Sequence, residues 1–257
     1  MKYFIKTGQV FFALALVVYG LQQFYFGTFR NVFFSSYEKY LPFLNILAWL
    51  FGIYLIASGV FIFIEKKVSV VATILGFVFL FLFFTTQLPY EIFTEPYSNY
   101  LALWVNPLKE FALAGGAFVV AGSMPDYTPD NRFLKALNKL TPYGNLFFLF
   151  TMTCFGIAHI SSAQRLTTII PEWWPHHLFW VYFTGVALTG AGISIMLGIR
   201  IRVISLFLAL MIFCWIWMVH VPAGIKYPVF QRGDLLASAF DALAFTGIAL
   251  LIAFTLK

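Results

Sequence analysis

The chain has 257 residues, 61% of them hydrophobic and 10% charged, and it includes 33 phenylalanines. Soluble domains carry about a quarter charged residues, so this composition excludes a soluble globular protein and places the chain in a bilayer. The formal net charge of +6 reads as contact with anionic lipid at an inner leaflet, not as nucleic-acid binding.

Stretches free of Asp, Glu, Lys and Arg cover residues 7–29, 40–64, 68–90, 140–164, 173–199 and 203–225. Each is long enough to cross roughly 30 Å of hydrocarbon as a helix. Two shorter stretches, 111–125 and 242–256, reach that length only if Glu110 and Asp241 enter the membrane with them. The expectation is an all-α polytopic membrane protein with eight transmembrane helices.

In chain order, the opening MKYFIKTGQVFFALALVVYG has two lysines and an apolar core, as a signal peptide does. It lacks a small-x-small cleavage site and its apolar run continues through Phe26, so it is expected to remain as the first helix. Between the fourth and fifth helices lies SMPDYTPDNRFLKALNKLTPYG (123–144). Here Asp130 can cap a short helix whose Phe133, Leu134, Leu137 and Leu140 share a face, while Arg132, Lys135 and Lys139 snorkel. Lys2, Lys6, Lys66, Lys67, Arg132, Lys135, Lys139, Arg200, Arg202 and Lys257 fall on one side of such an arrangement. Arg30, Lys39, Lys109, Arg165, Lys226 and Arg232 fall on the other. By the positive-inside rule both termini are cytoplasmic.

The chain also repeats itself. A shift of 133 positions carries Pro42 onto Pro175, Gly52 onto Gly185, Gly59 onto Gly192 and Pro89 onto Pro222. A shift of 136 carries Gly20 onto Gly156, and a shift of 131 carries Glu110 onto Asp241. The reading is two tandem four-helix units in the same orientation, 1–122 and 144–257, joined by a cytoplasmic interfacial linker, 123–143. Small residues two turns apart, as in Gly52/Gly59 and Gly185/Gly192, let helices approach closely in lipid.

All four histidines lie in the second unit. His159 ends the fifth helix, His176 and His177 open the sixth, and His220 ends the seventh, all near the periplasmic face. Asp241 enters the same face on the eighth. Under the repeat, Gln23 matches His159, Gln87 matches His220 and Glu110 matches Asp241. Polar groups in a bilayer turn toward the bundle interior and find one another, so each unit is expected to hold a polar cluster under that face. His159, His220 and Asp241 are the principal ligand-binding candidates, with His176, His177, Gln23, Gln87 and Glu110 beside them. Asp241 would fix the tautomer of one imidazole or take up a proton. His176 and His177, next to Trp173, Trp174 and Trp180, also fit an interfacial aromatic belt. Lys109 is expected to pair locally with Glu110, and Cys154 and Cys214 are expected to be buried, inert thiols.

No nucleotide loop, nucleophile elbow, zinc-protease or kinase signature occurs. Among ligands, a small molecule or quinone headgroup ranks first and a metal second, since no paired H-x-x-x-H spacing is present. Haem ranks third.

The segment GIAHISSAQRLTTIIPEWWPHHLFWVYFTGVALTGAGISIMLGIRIR (156–202), with MVHVP (218–222) and FDALAFTG (240–247), resembles the DoxX family of four-helix membrane proteins. The first unit resembles it mainly through KEFALAGGA (109–117) and its glycines. The family takes its name from a subunit of a thiosulfate:quinone oxidoreductase. The resemblance therefore implies a four-helix fold, a bacterial inner-membrane location and a quinone-linked site at His159, His220 and Asp241. Its partners would be the lipid bilayer and a second membrane protein or redox subunit. Two other readings stand beside it: a non-catalytic scaffold or assembly partner of membrane proteins, and a small-solute transporter.

Overall fold

Backbone amides in hydrocarbon find no water, so a chain this apolar satisfies them within helices. The computed structural model describes residues 1–34, 43–124 and 132–256, and among these there are helices and turns but no strand. Pro42 and Asp130, read above as a repeat match and a helix cap, lie outside the described residues.

Among the described residues, eight long helices follow one another: α1 Lys2–Phe26, α2 Leu44–Phe63, α3 Val68–Phe93, α4 Val105–Gly122, α5 Gly144–Ser161, α6 His177–Met196, α7 Ile201–Lys226 and α8 Asp234–Thr255. Seven are long and apolar enough to cross a membrane, α5 being counted together with the linker helix Arg132–Asn138 that precedes it. The exception is α4, whose Lys109 and Glu110 leave only a brief apolar stretch after them. Side chains in mid-helix such as Ile53, Phe81, Val186, Phe207 and Leu210 are exposed. A surface that apolar is stable against lipid and not against water. The chain is a multi-pass helical membrane protein.

Packing follows the small residues. α1 lies against α2 and α8, α4 against α3, α5 and α8, α5 against α6, and α7 against α8. The two most enclosed helices, α4 and α8, therefore run through the middle. A Cβ on Gly20 would lie 2.5 Å from the Gly52 carbonyl oxygen, and one on Gly156 would lie 2.5 Å from that of Gly185. Gly8 against Gly247, and Gly144 against Gly115, bring α1 to α8 and α5 to α4 in the same way. At these crossings even alanine would collide with backbone, which cannot yield without separating the helices.

Several local features recur at a spacing of 133 residues. Phe43 and His176 hold left-handed φ values of 62° and 59° at the starts of α2 and α6. Lys67 and Arg200 do so before α3 and α7. Both α3 and α7 widen into a π turn, Phe83–Gln87 and Ile216–His220. The cause lies two residues on, in Pro89 and Pro222. Proline offers no N–H and its ring crowds the preceding turn, and a wider i→i+5 turn relieves both. Gln87 and His220 are thus the last residues of matched widened turns.

The two ends of the bundle differ. Lys6 pairs with Glu65 at 2.9 Å on the surface where α1 begins and α2 ends. Ionisable side chains gather in the interior toward the opposite end. The linker helix turns Leu134 and Leu137 partly inward, as the turn after it does Leu140, while Phe133 faces out, unlike the shared face expected of it. Cys214 is exposed and Cys154 half-buried. The expectation of buried thiols fails because lipid, like a protein core, accepts an apolar thiol on the outer face.

Candidate functional site

A cavity of about 290 Å³ opens among α4, α5, α6, α7 and α8. Its walls are mainly apolar, including Met152, Phe155, Leu188, Ile212, Trp215 and Phe245. Its polar side chains are Lys109 from α4, His159 from α5, Thr184 from α6, His220 from α7, and Ser238 and Asp241 from α8. Three residues singled out by sequence, His159, His220 and Asp241, therefore line one space. Val105 and Ile169 line it too and are themselves exposed, so the way in is apolar.

Asp241 is 2% exposed and carries the strongest contacts. Lys109 Nζ lies 2.8 Å from its Oδ2, and Arg30 donates from one guanidinium nitrogen to Oδ1 at 3.2 Å and Oδ2 at 3.5 Å. Lys109 also donates to Ser238 Oγ at 3.1 Å. Arg30, 6% exposed, lies with its guanidinium carbon 4.1 Å from the centre of the Tyr19 ring. Burial alone would lower the Arg30 pKa, but Asp241, Tyr19 and Asp234 together raise it above its ordinary value. It therefore stays charged. Asn31 donates to Asp234 at 2.6 Å at the same end of the bundle. With two cations on Asp241 and a third Lys109 N–H still to be placed, this wall of the cavity favours an electron-rich oxygen.

Two expectations are corrected here. Lys109 does not pair with Glu110, because consecutive helical residues point about 100° apart and do not face each other. Lys109 instead reaches α8, while Glu110 is fully buried with neither carboxyl oxygen hydrogen-bonded among the described residues. Nor is an imidazole hydrogen-bonded to Asp241 among the described residues: its two oxygens meet Arg30 and Lys109. His159 Nδ1 lies 2.7 Å from the Phe155 carbonyl of its own helix. A ring nitrogen against a carbonyl must carry the hydrogen, which leaves Nε2 of the neutral ring as an acceptor. The His220 ring has no hydrogen-bond partner among the described residues and stands ready for either role.

The remaining candidates are not brought to this cavity. His176 is exposed at the left-handed start of α6, and His177 Nε2 meets the Pro171 carbonyl at 3.2 Å. Neither lines the cavity, because their helix enters at the surface beside the Pro171–Pro175 loop. Trp174 turns inward, 8% exposed, and stacks on Trp215 with centroids 5.3 Å apart, so it backs the cavity wall instead of joining the interfacial belt. In the first half, Gln87 donates to the Asn31 and Val32 carbonyls at 2.6 and 2.8 Å. Gln23 is fully buried, and its amide has no partner among the described residues.

Sequence reasoning passed over Arg30 and Lys109 as site residues. The signal for Lys109 was present: a cation at intramembrane depth needs a counter-ion, and Asp241 is an acid on a neighbouring helix. Arg30 lies between α1 and α2 and has no comparable signal. No family model, no curated protein and no solved structure matches the chain, so the site is read from its own residues.

Proposed function

We propose that this chain is a DoxX-like protein of the bacterial inner membrane that binds a small lipophilic or redox-active molecule, a quinone headgroup foremost. It would serve as a subunit or accessory of a membrane redox pathway. In this reading the chain crosses the membrane eight times as two tandem four-helix units, with both termini cytoplasmic and the cavity toward the periplasm. α4 packs against α3, α5 and α8, and this supports an eighth crossing. The glycine contacts, left-handed residues and π turns, matched at spacings of 133 and 136, support the tandem units.

The observation that carries the ligand reading is the cavity itself. It is apolar over most of its wall and at its rim, with Lys109, His159, His220 and Ser238 converging from four helices. Lipophilic headgroup sites have this form: apolar walls for bulk and a few placed polar atoms for orientation. Lys109 can donate to a carbonyl oxygen, and His159 Nε2 can accept from a hydroxyl, so the oxidised and reduced forms of a quinone would each find a partner.

The test is a thermal shift in detergent with decylubiquinone. Saturating ligand should raise the midpoint by about 5 °C, and His159→Ala and His220→Ala should each abolish the rise. If the variants lower stability and the wild type shows no ligand response, the scaffold reading takes its place.

A further inference from the structure

In the first half the corresponding place is filled by the chain's own Phe33. The Phe33 ring is fully buried, stacked on Phe79 with centroids 5.2 Å apart and planes 11° from parallel. It meets Phe51 and Tyr19 edge-on at 5.4 and 5.7 Å. Beside the ring, Gln87 donates to the Asn31 and Val32 carbonyls, and Thr86 Oγ1 donates to the Phe33 carbonyl at 3.3 Å. A shift of 133 carries Phe51, Phe79, Thr86 and Gln87 onto Thr184, Ile212, Val219 and His220, and a shift of 136 carries Tyr19 onto Phe155. All five counterparts line the cavity. The set of positions that encloses a phenyl ring in one half encloses the cavity in the other.

The differences between the sets indicate what the second one holds. Thr184 and Ile212 stand where Phe51 and Phe79 stand, so the walls recede. The resulting volume of about 290 Å³ is roughly twice the ~150 Å³ cavity known to hold one benzene. Where Gln87 meets carbonyls beside the phenyl ring, the cavity presents His220.

We propose that the occupant of the cavity is a flat ring system, larger than one phenyl, whose edge carries hydrogen-bonding oxygen. It lies where Phe33 lies in the first half, with its polar edge at His220. This rests on the lipophilic-ligand reading above and narrows it to planar rings.

The experiment is isothermal titration of the full-length protein in detergent with 1,4-naphthoquinone and with 1-decalone, a saturated bicyclic ketone of similar size. The quinone should bind at least about tenfold more tightly, as expected for face contacts that a puckered ring cannot make. Thr184→Phe and Ile212→Phe, which restore the ring found at each counterpart position, should each weaken the quinone by about tenfold or more. Elution volume and thermal midpoint verify that each variant is folded, and one folded variant suffices. Equal binding of both probes, or quinone binding indifferent to the substitutions, overturns the planar-ring proposal alone. If neither probe binds, the lipophilic-ligand reading falls and this proposal with it.

Discussion

Asp241→Ala should lower the stability of the protein by about 3–5 kcal/mol, the usual consequence of removing one partner from a buried ion pair. The carboxylate is shared by Arg30 and Lys109, and all three side chains are largely shielded from solvent. Without it, two cations would remain in a low-dielectric interior with the Ser238 hydroxyl, the Tyr19 and Phe33 ring faces and the more distant Asp234 to compensate them. Against a total of about 5–15 kcal/mol for an ordinary domain, that loss should appear as a large fall in thermal midpoint and yield. Replacing Asp241 by Leu together with Arg30→Met and Lys109→Met removes all three charges and should recover most of the loss. Thermal midpoints from tryptophan fluorescence in detergent measure both. An Asp241→Ala protein as stable as wild type would show that the cluster is solvated and not a buried tie between the halves.

Phe33→Ala should cost a similar amount, about 3–5 kcal/mol, because a fully enclosed phenyl ring is removed from among three other rings. The distinguishing result is rescue. A cavity of that size takes a small apolar guest, so benzene should raise the thermal midpoint of Phe33→Ala by more than it raises that of wild type, since the second-half cavity is common to both proteins. Loss of less than about 1 kcal/mol, with no benzene response, would mean that Phe33 is not the wedge that fills this half.

The gathering of His159, His220 and Asp241 was legible in the sequence because each stands near the same end of an apolar helix, where hydrocarbon drives polar groups inward. The π turns were not anticipated, although Pro89 and Pro222, which cause them, were visible as matched prolines. The partners of Asp241 were misassigned for a geometric reason. Lys109 looks adjacent to Glu110 in one dimension, while the helix rotates the two apart and presents Lys109 to α8. Arg30 and Phe33 were beyond reach, since both come from the segment between α1 and α2. One phenylalanine among 33 carries no mark of being the one that fills a pocket. His176 and His177 failed to join the site because Pro175 and the left-handed turn at His176 start α6 at the surface.

The most direct test of the central claim is mass spectrometry of the small molecules released from gently purified protein. A quinone or another flat-ring lipophile should be recovered near one equivalent from wild type and be lost from His159→Ala and His220→Ala proteins that remain folded. Recovery of bulk phospholipid alone, identical in wild type and variants, would contradict it.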